Sequence, residues 1–171
     1  MSDIYTIDNW VASTTYTVDD IVFINNLYYY CKTAHTSSSS FNTDNNSGYW
    51  RGIININGVN YPYFEWISSY NYSFDIKPKV KNIQFGDNYI QSVKDGINNV
   101  LLPLNLEFNN RGLQEYSAIL HFLDVQAGVT QFYFIPPSPF NVLKRFVCQQ
   151  WQSKQSFYEN YSVTALLEER V

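Results

Sequence analysis

Residues 80–91 read Val-Lys-Asn-Ile-Gln-Phe-Gly-Asp-Asn-Tyr-Ile-Gln. Apolar and polar side chains alternate over the first six, which is the pattern of a β-strand with one face directed towards apolar surroundings. The Gly-Asp-Asn tripeptide at 86–88 is typical of a turn, and the strand pattern resumes at Tyr89. We therefore expect a β-hairpin here, with Gly86 in a backbone conformation that is closed to other residues.

The sequence beyond this hairpin predicts more strands and one helix. Strand patterns occur at 100–108, 131–135, 146–151 and 161–167. Between the first two of these, apolar side chains recur at the spacing of one helix face: Leu113, Tyr116, Ile119, Leu120, Phe122 and Leu123. Asn109-Asn110 offers an N-cap and Gly128 is placed to end the helix, which gives it about four turns.

The sequence before residue 80 also favours β-structure. Residues 21–24 and 27–31 are strand-like, and Asn25-Asn26 between them can adopt the positive φ of a tight hairpin turn. Asn57-Gly58 predicts a second turn of this kind. The Ser-, Asn- and Thr-rich stretch 35–48 is typical of a long loop.

Composition supports a mainly β fold with two units. Aromatic residues make up 18% of the chain, with 15 Tyr and 12 Phe, and these side chains suit pleated sheets. Residues 1–70 carry six acidic and two basic side chains, whereas the remainder carries nine of each. This asymmetry predicts a small domain at 1–56 and a larger one at 57–171, with the junction at about 52–70.

Sequence features also bear on compartment. Two cysteines, Cys31 and Cys148, do not make a disulfide framework, and we expect two buried thiols. The N-terminal residues lack the basic and apolar regions of a signal peptide. No apolar run approaches the ~20 residues that span a bilayer. The sequence therefore predicts a soluble protein that is cytoplasmic when made and has no membrane partner.

No motif for catalysis, cofactor binding or metal binding is present. The chain has no Walker loop, no dinucleotide-binding glycine motif, no nucleophile elbow and no HExxH. His35 and His121 lie in different segments. The carboxylate pairs Asp19-Asp20 and Glu168-Glu169 are expected in a solvated turn and a frayed terminus. We therefore predict that the protein has no catalytic, cofactor-binding or metal-binding residues and is not an enzyme. The enzymatic alternative is a cell-wall hydrolase subunit.

Residues 10–50 carry an ordered set of residues that resembles a known module. The pattern is W-x-x-S-x-x-Y-x-x-D-D-x-V from Trp10 to Val22, then Tyr29-x-Cys31, followed by 34–37, Phe41, Asp44 and Trp50. It resembles the chitin-binding-type carbohydrate-binding module, in the variant attached to phage structural proteins. The resemblance implies a miniature three-stranded core and sugar binding through exposed aromatic rings.

Two positions depart from the pattern of that module. Asp19 stands where the family has glycine, and Thr33 and Ala34 stand where its sugar-binding members have an aromatic pair. The candidate carbohydrate-binding residues are instead Tyr28, Tyr30, Tyr49 and Trp50. Alternatively, these aromatics form the core of a small domain. We favour a core position for Trp50 and surface positions for Tyr28 and Tyr30.

Residues 70–171 carry a second ordered set. It comprises FGD-x-Y-x-Q at 85–91, Gly-Ile-Asn at 96–98, the helix, QFYFIPP at 131–137, the strand 144–151 and the terminal 161–169. In combination these resemble the phage minor tail protein M family. The resemblance implies a β-sandwich or barrel-like tail domain with one α-helix.

The resemblance to the tail family also implies a function. Its members are similar to ring-forming proteins between the tail tube and the tip, in the virion tail tip. The expected partners are other copies of the chain in a ring, most simply a hexamer, the tail tube protein and other tip proteins, with DNA in transit through the centre. The alternative is a receptor- or cell-wall-binding tail protein whose N-terminal module binds a host surface polysaccharide.

Overall fold

The computed structural model describes residues 5–69, 72–74, 76–86, 89–97 and 100–171. Seven elements precede residue 52: β1 Ile7–Asn9, β2 Thr15–Tyr16, β3 Ile21–Ile24, β4 Leu27–Cys31, β5 His35–Thr36, α1 Phe41–Asn46 and β6 Trp50–Arg51. The others are β7 Ile53–Ile56, β8 Val59–Pro62, β9 Tyr72–Ser73, β10 Val80–Gln84, β11 Ile90–Lys94, β12 Pro103–Arg111, α2 Leu113–Gln126, β13 Phe132–Phe134, β14 Lys144–Phe157 and β15 Asn160–Arg170. The predicted mainly β fold is confirmed.

The N-terminal module, residues 5–51, is built on a hairpin of β3 and β4. Asn25 and Asn26 form its turn with φ of 53° and 61°, which confirms the hairpin expected from the Asn-Asn pair. β6 pairs with β4 on one side, and β1 adds a parallel strand beside β3. The sheet therefore has the order β1-β3-β4-β6, one strand more than the expected three.

The predicted loop at 35–48 contains the short helix α1, which the sequence analysis did not predict. Phe41 is buried in the module, and the Asp44 carboxylate accepts hydrogen bonds from the Ser38 backbone N–H. The buried Phe41 ring and the buried Asp44 carboxylate therefore stabilise a helix in six residues whose composition alone favours a loop.

The larger domain is a five-stranded antiparallel sheet in the order β13-β14-β15-β12-β9, curved into a half-barrel. β14 and β15 are its longest strands and form one hairpin. Side chains alternate along β12, so that Leu104, Leu106 and Phe108 face the core beneath α2. The opposite face of the sheet carries polar and half-buried side chains.

The helix α2 confirms the predicted helix, but it begins later than expected. Its N-cap is Gly112, and Asn109 and Asn110 belong to β12. Pairing of β12 with β15 extends to Arg111, and this pairing prevails over the local capping preference of the asparagines. The helix ends at Ala127 and Gly128, both with positive φ, as the position of Gly128 indicated.

The module and the larger domain share one hydrophobic core. Ile21 and Tyr30 of the module belong to the same buried cluster as Phe64, Trp66 and residues of α2 and the five-stranded sheet. A second, smaller cluster lies within the module and contains Tyr16, Val22, Tyr29, Cys31, Phe41 and Trp50. The expected division at 1–56 and 57–171 remains a prediction about folding units.

Strands β10 and β11 form a hairpin, here called the arm. All but one of their ten side chains are exposed, and the exception, Val93, is half-buried. Gly86 does not have the expected special conformation, because its φ is outside the left-handed region and a Cβ there would meet no atom within 4 Å. The rest of the predicted turn, Asp87 and Asn88, lies outside the described residues.

Candidate functional site

Strand β4 directs its side chains into two different cores. Tyr29 and Cys31 pack inside the module, whereas Tyr28 and Tyr30 point the opposite way, towards α2. The Tyr30 ring lies edge-on to Trp66 with centroids 4.9 Å apart, and the Tyr30 hydroxyl hydrogen-bonds His121 Nδ1 at 2.9 Å. In an isolated module the Tyr28–Tyr30 face would be open, but here the larger domain covers it.

Three of the four candidate sugar-binding residues are buried or half-buried. Tyr30 is 1% exposed, so the expectation of a surface position is wrong. Tyr28 is half-buried, with its ring edge-on to His121 at 4.7 Å. Trp50 is 5% exposed, which confirms its expected core position. Tyr30 and Trp50 therefore offer no free ring face on which a sugar could stack.

Tyr49 is the fourth candidate and remains partly exposed. Its ring stacks on His35 with centroids 4.4 Å apart and an interplanar angle of 25°. The backbone carbonyl of Tyr49 accepts a hydrogen bond from Lys32 N at 2.7 Å, which places it beside the loop that carries Thr33 and Ala34. Both loop residues are exposed. One aromatic ring thus lies next to the position where the module's sugar-binding members have an aromatic pair.

Asp19 is not in a solvated turn but in a buried polar cluster. Its φ is 70°, a conformation that suits the glycine of the family pattern. The carboxylate forms an ion pair with Arg51 and accepts a hydrogen bond from Trp66 Nε1 at 3.1 Å. The Arg51 guanidinium lies 4.5 Å from the centroid of the Trp66 ring. Because Trp66 lies outside the module, this cluster joins the module to the larger domain.

Further polar contacts fix the same junction. Lys32 forms an ion pair with Glu65 at 2.6 Å. Gln114 of α2 donates to Thr17 and to Asp20 at 2.9 Å each. The sequence analysis did not identify this junction. Asp19, Arg51 and Trp66 are far apart in the sequence and form no local pattern. The only sequence signal for this junction was that Asp19 stands where the family has glycine.

The second carboxylate pair lies in strand β15, not in a frayed terminus. Glu169 forms an ion pair with Lys144 at 2.7 Å and accepts a hydrogen bond from Leu102 N at 2.9 Å. Glu168 pairs with Arg170 at 2.9 Å. Adjacent strand residues point to opposite faces, so these two carboxylates do not converge on a common substrate position.

His121 is the buried ionisable group at the junction. The rings of Tyr5, Tyr28 and Tyr30 surround it, and burial lowers its pKa to about 4, although the nearby Asp124 carboxylate acts in the opposite direction. The imidazole is therefore neutral at pH 7 and can share a hydrogen bond with the Tyr30 hydroxyl. This environment is apolar and closed, which suits a structural histidine.

The cysteine side chains are the expected buried free thiols. Burial raises the pKa of both Cys31 and Cys148 to about 11, so neither is a reactive thiolate at neutral pH. Among the described residues, no three His, Cys, Asp or Glu side chains are arranged to hold a metal ion. No helix in the described ranges is long and apolar enough to cross a membrane.

Comparison with known families confirms both resemblances. Residues 62–171 match the model of the phage minor tail protein family, and residues 9–51 match that of carbohydrate-binding module family 5/12. No curated protein matches the chain. Because the first match covers more than half of the sequence, the chain belongs to the phage minor tail protein family and is a protein of the virion tail.

Proposed function

We propose that this protein forms a homo-oligomeric ring in the distal tail, between the tail tube and the tip complex. The observation that carries this proposal is the arm, a two-stranded hairpin with apolar side chains that its own chain leaves exposed. An isolated hairpin is at best marginally stable in water, so an assembled partner accounts for it better than a free monomer does. Family membership supports a place in the tail.

The charge distribution suits a ring through which DNA passes. The chain has a net charge of −4, and its larger domain beyond residue 70 has equal numbers of acidic and basic side chains. A protein that grips DNA neutralises phosphates with clustered Lys and Arg. A ring through which DNA passes should attract the DNA only weakly. In the described residues no catalytic groups converge, which is in keeping with an assembly role.

The ring is tested by measuring the mass of the purified protein by native mass spectrometry and its copy number in cross-linked particles. We expect a closed oligomer, most simply a hexamer, either in solution or in assembled tails. Cross-links to capsid proteins, or one copy per tail, would contradict the ring.

A second candidate function is binding of host surface polysaccharide by the module. It is favoured by the match to the carbohydrate-binding module and by the partly exposed Tyr49 ring on His35. We expect Tyr49→Ala to abolish retention on chitin or cell-wall polysaccharide resin while Tyr49→Phe retains it, because stacking needs only the ring. A glycan array without hits for the intact protein would exclude this function.

A further inference from the structure

A pocket remains where the Tyr28–Tyr30 face of the module meets the C-terminal end of α2. Its volume is about 220 Å³. The module contributes Asn26, Leu27, Tyr28 and Tyr30, the segment that follows it contributes Gly52, Ile53 and Pro62, and α2 with the residues after it contributes Phe122, Val125, Gln126 and Thr130. Neither unit forms these walls alone, so the pocket depends on the contact between the module and the larger domain.

The side chain of Gln126 points to a ligand in this pocket. The residue is only 5% exposed, yet its amide has no hydrogen-bond partner among the described residues. The hydroxyl of Tyr28, which also lines the pocket, likewise has no partner in the described part of the chain. A buried polar group without a partner is unfavourable, and in native structures water or a ligand usually supplies the missing hydrogen bond.

The other walls of the pocket are mainly aromatic and aliphatic. The Tyr28 ring is half-buried, and the rings of Tyr30 and Phe122 are each 1% exposed. Apolar walls with a few polar groups are the usual composition of a small-molecule site. Since sites for drug-sized ligands have roughly 300–1,000 Å³, this smaller pocket suits one small ring and not an extended chain.

Charge and polarity limit the class of ligand. No charged side chain among the described residues lines the pocket. A charged ligand would therefore lose hydration without gaining a counter-charge, whereas a wholly apolar ligand would leave the Gln126 amide and the Tyr28 hydroxyl unpaired. An uncharged pyranose meets both conditions, because its C–H face packs on an aromatic ring and its hydroxyl edge pairs with an amide that both donates and accepts.

We propose that this pocket binds one uncharged pyranose ring, which packs on Tyr28 and forms hydrogen bonds with the Gln126 amide. The choice of a sugar rests on the proposed polysaccharide binding. The pocket adds to Tyr49 a second site that requires the larger domain as well as the module. One ring in a small pocket binds weakly, but two weak sites on one chain reinforce each other on a polymer.

The test titrates the full-length protein with soluble monosaccharides and follows the Tyr28 ring and the Gln126 side-chain amide by NMR. Glucose, galactose, mannose and N-acetylglucosamine are the uncharged probes. Glucuronate, which is glucose with a carboxylate, is the anionic control. We expect at least one uncharged sugar to shift both sets of signals and glucuronate to bind roughly tenfold more weakly or less.

A matched pair of variants tests the role of the amide. Gln126→Met keeps the length of the side chain and removes its hydrogen bonds, so affinity for the uncharged sugar should fall roughly tenfold or more. The variant should melt at or above the temperature of the parent, because the amide has no partner in the free protein within the described residues. Gln155→Met, at an exposed position of β14, is the control and should bind like the parent. Tyr49→Ala should also keep this binding, since Tyr49 does not line the pocket.

The outcomes separate the pocket from the polysaccharide function. Sugar shifts confined to Tyr49, or shifts unchanged by Gln126→Met, overturn the pocket site and leave the proposed function standing. Equal binding of glucuronate overturns the uncharged ligand. If no probe shifts the Tyr28 and Gln126 signals, water alone occupies the pocket and the proposal fails, while retention of the intact protein on polysaccharide resin decides the function separately. A changed oligomer mass in Gln126→Met without any effect on sugar shifts would assign the pocket to a second copy and overturn the sugar site.

Discussion

The backbone conformation at position 52, at the junction between the module and the larger domain, requires glycine. Its φ is +107°, and a Cβ at this position would lie 2.6 Å from Tyr30 Cδ2. Tyr30 cannot move away, because its ring is buried against Trp66 and its hydroxyl is bound to His121. We expect Gly52→Ala to destabilise the fold by about 2–3 kcal/mol through backbone strain and overpacking.

Gly86 provides the comparison for this prediction. Its φ is outside the left-handed region and its surroundings are open, so Gly86→Ala should change stability by less than about 0.5 kcal/mol. Urea denaturation of the two variants and the parent measures both effects. Equal midpoints for Gly52→Ala and the parent would show that the close approach to Tyr30 is not a constraint.

The neutral His121 gives folding stability a dependence on pH. Its pKa of about 4 in the folded protein is below the ordinary value of 6.5, so the unfolded chain binds the proton first as pH falls. Stability is therefore full above pH 6.5 and declines between pH 6.5 and 4. Asp124 is the charged group nearest to it, and Tyr5, Tyr28 and Tyr30 are the other titratable neighbours.

The measurement is the melting temperature of the parent and of His121→Asn at pH 7 and at pH 5. The decline should be smaller in the variant, because an amide does not titrate, although the variant is less stable at both values. A parallel decline in both proteins would assign the pH dependence to carboxylates instead.

At the scale of elements, the sequence predicted what is determined locally. The hairpin turns at Asn25-Asn26 and Asn57-Gly58 are correct because residues that tolerate positive φ stand between two strand patterns. β14 was predicted only as 146–151, because its polar continuation to Phe157 has no alternation and depends on pairing with β15. The prediction of a helix N-cap at Asn109-Asn110 was wrong for the same reason. These residues belong to β12, and its pairing with β15 cannot be read from the local sequence.

The shared core determines which fragment of the larger domain folds alone. Phe64 and Trp66 precede residue 70 but are buried in the core beneath α2. A fragment 70–171 lacks both rings, and the loss of one buried aromatic side chain costs about 3–5 kcal/mol, a large part of an ordinary domain's stability. We therefore expect 57–171, which lacks only Ile21 and Tyr30 of this core, to unfold cooperatively at a lower temperature than the full chain, and 70–171, which also lacks Phe64 and Trp66, not to unfold cooperatively. Far-UV circular dichroism with thermal melting checks this, and a cooperative 70–171 would contradict it.

At the scale of the molecule, the sequence located the two family segments but not their contact. Residues of the module contribute to the same core as α2, and the Tyr28–Tyr30 face predicted for sugar is the face that the larger domain covers. The candidate site could be predicted only as a set of aromatic residues, because the choice between surface and core depends on this covering. Tyr49 is distinguished from Tyr28 and Tyr30 by lying away from that contact, and from Trp50, which is buried inside the module, by its partial exposure.

The Asp19 cluster couples the module to the larger domain. Its carboxylate is buried between Arg51 of the module and Trp66 of the larger domain, so separating the two units would expose unpaired charges and a shared core together. We expect a single calorimetric transition in which the van't Hoff and calorimetric enthalpies agree.

Asp19→Asn keeps a residue that tolerates positive φ but leaves Arg51 without its counter-charge, which should cost about 3 kcal/mol of folding stability. Asp8→Asn, at an exposed position of β1 in the same module, is the control and should change stability by less than about 0.5 kcal/mol. Two separate transitions in the parent protein would mean that the module unfolds independently and that its contact with α2 is not what holds it in place.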